Sequence, residues 1–268
     1  MRKTRIVVPC YNEATRLRPQ AFLSALQSDP GLSFLFVNDG SSDDTLSMLL
    51  SLQRENPARI EVLPLDRNHG KAEAVRLGML EAIDGRFDNV GYWDADLATP
   101  LSAIADFCAL FEGRRVDAVF GARVRLLGRT IRRRPLRHYL GRVFATCASM
   151  LLGINIYDTQ CGAKLFRNSP ALRTVFSVPF TVRWTFDVEM LARFPLVLDV
   201  PGPVASSRWV EFPLLEWVDV KGSKVRATDY FSALKEFVTL FVHLRTPARK
   251  AYKRRLLEGA AELASSRT

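Results

Sequence analysis

Apolar and polar positions alternate along the first half of the chain in two rhythms. Short runs rich in β-branched and aromatic residues, at 5–10 (RIVVPC), 34–38 (FLFVN), 60–64 (IEVLP) and 89–93 (NVGYW), each stop at a cluster of polar turn residues, as strands do. Between them, residues 21–28, 45–54 and 71–82 carry apolar positions at helical spacing. Repeated strand–helix units predict an α/β fold: a mostly parallel, Rossmann-like sheet with helices on both faces. In such a fold ligands bind at the carboxyl ends of the strands.

Beyond residue 93 the pattern predicts a helix over 100–111, with Pro100 suited to its first turn, and a strand over 118–121. A helix over 138–154, a short strand over 163–166, and helices over 185–194 and 227–244 follow. Segment 123–137 (RVRLLGRTIRRRPLR) is too dense in arginine to show either period. From residue 245 onward the chain is polar and basic, which reads as a loosely docked helix with a frayed end. These expectations give one α/β domain over 1–226 and a helical, basic tail over 227–268.

Composition narrows the class. The 268 residues are 48% hydrophobic and 25% charged, as in a globular protein, and the formal net charge of +10 attracts anions: nucleic acid, acidic lipid and phosphorylated metabolites alike. Cys10, Cys108, Cys147 and Cys161 are widely spaced, with no CxxC pair, and read as free thiols of a reducing compartment. The apolar stretch before Tyr11 is too short for a signal-peptide core, and 143–157, interrupted by Thr146, Ser149, Gly153 and Asn155, falls short of the roughly 20 residues that span a bilayer. A cytoplasmic location without a membrane-spanning helix is expected.

Chemistry concentrates where the strands end. Asp94-Ala95-Asp96 follows the strand NVGYW directly, and in extended backbone residues i and i+2 point to the same side, so two carboxylates converge. Magnesium or manganese takes such hard oxygen ligands and shares them with substrate phosphates. The same two residues would also serve as plain capping groups for the helix at Pro100. Pro9-Cys10-Tyr11-Asn12-Glu13 closes the first strand, and Asn38-Asp39-Gly40-Ser41-Ser42-Asp43-Asp44-Thr45 closes the second, where ordinary turn and N-cap chemistry is the alternative.

VPCYNE, NDGSSDDT, NHGKAEAVRLG and DAD, in this order over residues 6–123, resemble glycosyltransferase family 2, whose GT-A fold binds nucleotide-sugars. The resemblance implies that Pro9, Tyr11 and Glu13 line the nucleoside pocket, that Asp39 bonds the base and that Lys71 approaches base and phosphate. It makes Asp94 and Asp96 the ribose- and metal-binding pair, with Mg2+ or Mn2+ as cofactor and Asp96 at the catalytic centre. DTQCGAKLF (158–166), WTFDVEML (184–191) and EWVDVKGSKV (216–225) are similar to the branch that includes dolichyl-phosphate β-glucosyltransferases and undecaprenyl-phosphate sugar transferases. This chain has Gly121-Ala122-Arg123 where the branch usually has Gly-Ser-Arg, and Gly162-Ala163-Lys164 where it has Gly-Phe-Lys.

The implied partners are a UDP-sugar, with glucose favoured, and a polyprenyl-phosphate acceptor. Arg123, Gln160, Lys164 and Lys224 join the substrate-binding set, the basic ones because guanidinium and ammonium groups suit a phosphate head group; Arg132, Arg133 and Arg134 would suit it too, but each reads first as part of a solvated basic face. The expected reaction is one in-line displacement with inversion. For a hydroxyl acceptor, Asp187 is the candidate base; for a phosphate, already largely ionised, Asp187 would orient the acceptor. Asp187 and Glu189 diverge if both lie within a helix. Segment 123–137 and the helix 138–154 are expected to contact anionic membrane from its cytoplasmic face. Two other readings stand beside this one: a family 2 enzyme acting on a saccharide hydroxyl, and a non-catalytic basic module. The strand-end motifs speak against nucleic acid as the partner.

Overall fold

The protein is described from a computed structural model covering residues 2–112, 115–132, 135–220 and 227–265. It divides into two compact units: Met1–Arg133 with Cys161–Asn168 and Trp209–Val220, and Arg134–Gln160 with Ser169–Arg208 and Lys221–Thr268.

The first unit is built on a seven-stranded sheet. Its strands are β1 (Thr4–Cys10), β2 (Leu32–Asn38), β3 (Ile60–Pro64), β4 (Asn89–Trp93), β5 (Ala118–Ala122), β7 (Ala163–Arg167) and β8 (Trp209–Pro213), in the order β3-β2-β1-β4-β7-β5-β8. β1 runs parallel to both β2 and β4, so the carboxyl ends of the first strands share one edge, with Cys10 opposite Asn38. β7 alone among the described sheet strands runs antiparallel to its neighbours β4 and β5. Two short strands, β6 (Thr130–Arg132) and β9 (Glu216–Val218), pair separately.

Helices α1 (Pro19–Ser28), α2 (Thr45–Glu55), α3 (Lys71–Asp84) and α4 (Ala103–Phe111) join these strands. Phe22 of α1 meets Phe34 and Phe36 of β2 edge-on, with ring centroids 5.1 and 4.9 Å apart, which ties helix to sheet through the ring quadrupoles as well as buried area. Gly78 lets α3 settle on β1 and β2: a Cβ there would lie 2.5 Å from a methyl of Val7 and 2.7 Å from one of Val37. That seating fixes where the helix's first residue, Lys71, emerges.

The second unit is helical: α5 (Pro135–Leu152), α6 (Pro170–Phe176), α7 (Phe186–Leu198), α8 (Gly202–Ala205), α9 (Ala227–Arg245) and α10 (Ala248–Ser265). α10 is not the loose tail that its polarity predicts. Tyr252 and Leu256 are buried, Ser177 Oγ donates to Leu256 O at 3.0 Å, and Arg193 Nε donates to the Tyr252 hydroxyl at 2.9 Å. Two apolar residues among the charges of α10 suffice to bring that helix into the core.

A buried ion pair organises this unit. Glu189 and Arg193, one helical turn apart on α7, have no exposed surface, and the guanidinium meets the carboxylate at 2.7 Å. Glu189 also accepts from the N–H groups of Thr181 and Val182, while Arg193 donates to the carbonyls of Val175, Val178 and Pro179. Burial pushes the Tyr252 phenol above its ordinary range; Arg193 opposes that shift and Glu189 adds to it. Removing one partner of such a pair strands the other charge in the core. Glu189→Ala is therefore expected to lower the unfolding free energy by about 3–5 kcal/mol in urea titration.

Candidate active site

The strand-end motifs of the first unit are knitted to one another by hydrogen bonds. Asn12, at a φ of 49°, accepts from the Ser42 N–H at 2.9 Å and donates its own N–H to Ser41 Oγ at 3.1 Å. The Glu13 N–H donates to Thr45 Oγ1 at 2.8 Å. The turn residues after β1 and β2 thus act as one assembly. Glu13 itself is buried and forms an ion pair with Arg16. Pro9 is partly buried and Tyr11 is exposed at the same edge.

Asp39 is buried, and its carboxylate accepts from the His69 N–H at 2.7 Å and the Gly70 N–H at 2.9 Å. It braces the loop that delivers Lys71 while each oxygen keeps a second lone pair. Lys71 Nζ then reaches Asp94 Oδ1 at 2.5 Å. Three motifs spaced along the sequence, NDGSS, NHGK and DAD, are joined in this way by three contacts.

Asp94 and Asp96 leave the end of β4 under close control. The Asp94 N–H donates to Gly162 O at 2.9 Å, extending the β4–β7 ladder by one step, and the Trp93 indole donates to Thr99 O at 2.9 Å. Gly162 is required by space: a Cβ there would sit 1.9 Å from Asp94 Oδ2. Leu97 takes a φ of 52°, costly for a residue with a branched side chain, and lets the Ala98 N–H reach Asp96 Oδ1 at 3.0 Å.

Asp96 is pushed above the usual carboxyl range by burial first and by the charge of Asp94 second, against the opposing pull of the Ala98 N–H, Lys71 and Arg16. A cation placed between the pair would relieve that penalty, and two carboxylate oxygens are the donors that Mg2+ or Mn2+ takes. Among the described residues no group of three or more His, Cys, Asp and Glu side chains is placed to hold a metal ion.

Other sequence candidates lie elsewhere or take other roles. Arg123 stacks over the Trp217 ring, 5.2 Å from its centroid, within the same unit. Lys164 is corrected: β7 turns it inward, it has no exposed surface, and its ammonium donates to Cys161 O at 2.5 Å and lies 5.2 Å from the centroid of the Tyr92 ring. It holds the Cys161–Gly162 turn from within instead of facing a head group. Gln160 belongs to the second unit, where its N–H donates to Asp158 Oδ1 at 3.2 Å. Asp187 and Glu189 both lie inside α7 and so diverge, Glu189 turning into the core. Arg132 is exposed at the end of β6, while Arg133, Arg134 and Lys224 lie outside the described residues.

Three contributors escaped the sequence reading. Arg16 looks like an ordinary loop arginine until Glu13 fixes it near Asp96. Gly162 was legible only as part of a motif. Glu236, on α9, accepts from the N–H groups of Arg183, Trp184 and Thr185 at 2.8–3.2 Å and from Thr185 Oγ1 at 2.9 Å, clamping the turn that starts α7 two residues before Asp187. No local spacing links residues this far apart.

Residues 5–173 match the family model described as Glycosyl transferase family 2. The chain belongs to glycosyl transferase family 2. This family 2 member is 33% identical over 252 residues to the dolichyl-phosphate beta-glucosyltransferase of Drosophila melanogaster, covering 88% of this chain and 73% of that one. It is 31% identical over 240 residues to the Homo sapiens enzyme of the same name, covering 82% and 68%. It therefore sits in the polyprenyl-phosphate sugar transferase branch. Glucosyl-3-phosphoglycerate synthase from Mycobacterium tuberculosis superposes with a TM-score of 0.62 at 17% identity, over 92% of this chain and 82% of that one, which establishes the GT-A fold. That synthase has also been solved in complex with Mn2+, UDP-glucose and phosphoglyceric acid.

The raised Asp96 carboxyl makes a stability prediction with a definite sign. A carboxyl whose folded-state pKa lies above its unfolded value costs stability once pH exceeds the unfolded value, and fully so above the folded one. Without metal, Asp96→Asn should match or exceed the wild-type Tm at neutral pH, and any gain should shrink as pH falls toward the ordinary carboxyl range in a scanning-fluorimetry series.

Proposed function

We propose that this family 2 transferase moves glucose from UDP-glucose to a polyprenyl phosphate, with inversion at the anomeric carbon, at a site centred on Asp94 and Asp96. The observation that carries the reading is the acidic pair at the end of β4. It is held by Gly162 and Lys71, in a chain two of whose relatives, 33% and 31% identical, are named dolichyl-phosphate beta-glucosyltransferase.

In this reading Tyr11 packs on the base at the exposed edge, and the remaining lone pairs of Asp39 accept from a base N–H. Asp94 would receive the ribose, and Asp96, with Asp94, would hold a divalent cation. Mg2+ or Mn2+, once bound, neutralises charge on the departing diphosphate. Lys71 and Arg16 add fixed positive charge beside the same oxygens, and their positions are set before the donor arrives, which is where most of the acceleration originates. A phosphate oxygen of the acceptor attacks the anomeric carbon as the bond to UDP breaks. Because a phosphate monoester is largely ionised at neutral pH, with a second pKa of about 6, no proton need be removed. Asp187, buried at the start of α7, then orients the acceptor instead of acting as a base.

Purified protein supplied with UDP-glucose, Mn2+ and a polyprenyl phosphate in detergent should form the glucosylated lipid and release UDP. Asp96→Asn should lower kcat by at least about 100-fold, Gly162→Ala should lose activity by displacing Asp94, and Asp187→Asn should retain part of it. Turnover of Asp96→Asn near wild type at limiting metal would remove the metal assignment. Transfer only to saccharide hydroxyls, abolished in Asp187→Asn, would replace the lipid acceptor with the hydroxyl reading.

A further inference from the structure

Within the second unit, α5 and α9 lie side by side and run in the same direction. Phe144 meets Phe237 edge-on, with ring centroids 4.8 Å apart. Further along both helices, the Arg245 guanidinium donates to the carbonyls of Met150 at 3.3 Å and Leu151 at 2.9 Å. Ala145, Ala148 and Leu151 of α5, and Ala233, Leu240 and Leu244 of α9, turn into the core.

The outward residues are just as apolar. Val143, Met150, Leu234, Val238 and Phe241 are between 56% and 74% exposed, and Val242 and Cys147 are exposed beside them. At 100° per residue, Val143, Cys147 and Met150 fall on the flank of α5 next to Phe144, and Leu234, Phe241 and Val238 on the flank of α9 next to Phe237. Because the helices are parallel, both stripes emerge on one side of the Phe144–Phe237 seam and form a single apolar face. A patch of this extent on a soluble surface marks an interaction site.

Charge selects the occupant. The net charge of +10 opposes the approach of a second copy of the chain and favours an anionic surface. Exposed Lys235 borders the stripe of α9, and the sequence that leads into each helix is basic, with Arg132, Arg133 and Arg134 before α5 and Lys221, Lys224 and Arg226 before α9. The first unit repeats the chemistry at the turn Leu126-Leu127-Gly128, where exposed leucines stand between Arg125 and Arg129. No helix among the described residues is long and apolar enough to cross a membrane.

We propose that the α5–α9 face docks on an anionic bilayer, laying both helices in the interfacial plane with Met150, Leu234, Val238 and Phe241 among the acyl chains. The sequence pattern pointed to the basic segment 123–137 and the helix over 138–154; α9 completes the face. The inference rests on the polyprenyl-phosphate reading only for what docking accomplishes, namely access to an acceptor that resides in the bilayer.

The test is co-sedimentation of the full chain with vesicles of phosphatidylcholine, or of phosphatidylcholine with one third phosphatidylglycerol. The wild type should bind the anionic vesicles, less so as salt is raised. The triple variant L234S/V238S/F241S should lower partitioning at least about tenfold. All three positions are exposed, so its circular dichroism and its rate with a water-soluble short-chain isoprenyl phosphate should match wild type. Equal sedimentation of wild type and variant overturns the proposal, as does failure of the wild type to bind anionic vesicles. A wild-type dimer in solution that the variant converts to monomer also overturns it and assigns the face to a second copy. If the wild type binds vesicles as stated yet glucosylates no isoprenyl phosphate, docking stands and the proposed acceptor falls.

Discussion

Two carboxylates held two residues apart at a strand end repel one another, and the surroundings of Asp94 and Asp96 are arranged around that repulsion. Burial makes it worse for Asp96. The compensation is partial by construction: Lys71 sits on Asp94, Arg16 is held near Asp96 by Glu13, and one backbone N–H serves Asp96. Full neutralisation by protein groups would leave no electrostatic reason for a divalent ion and a diphosphate to bind together. An acidic pair under-compensated in the resting protein stores the binding energy that the proposed reaction requires at its leaving group.

Around that pair, each contact with a partner distant in sequence removes a degree of freedom. Asp39 uses two backbone N–H groups to fix the loop before Lys71, and the missing side chain at Gly162 is what gives Asp94 its place. The helical unit uses acids in the same manner but encloses them. Glu189 is paired with Arg193 in the core, and Glu236 accepts from the N–H groups that precede α7, as an N-terminal capping group would. In both units carboxylates do local structural work beside the residues proposed for chemistry.

Much of this was legible in the sequence. The strands at 60–64 and 89–93 match those of the structure residue for residue, and the others through 118–121 differ only at their ends, because each is a short apolar run closed by turn residues. The antiparallel direction of β7 was not legible, since AKLF carries no sign of which neighbour it joins. Nor was the firm docking of α10, a helix that was expected but whose charges concealed Tyr252 and Leu256, or the pair β6–β9, whose residues gain partners only after folding. At the site, DAD, NDGSS and NHGK declared themselves by their place at strand ends. Lys164 misled because its charge suggested an anion, whereas β7 is covered on both faces and buries Lys164 as fully as Leu165. Arg16, Gly162 and Glu236 act through partners across the fold, and a linear pattern does not carry that information.

The central claim, that the acidic pair and a nucleotide diphosphate hold one divalent ion between them, is tested most directly by titrating Mn2+ into the protein calorimetrically with and without saturating UDP. The account predicts weak Mn2+ binding alone, affinity raised at least about tenfold by UDP, with UDP affinity raised by the same factor by Mn2+, and loss of this coupling in Asp96→Asn. Equal Mn2+ affinity with and without UDP, or coupling that survives in Asp96→Asn, would contradict it.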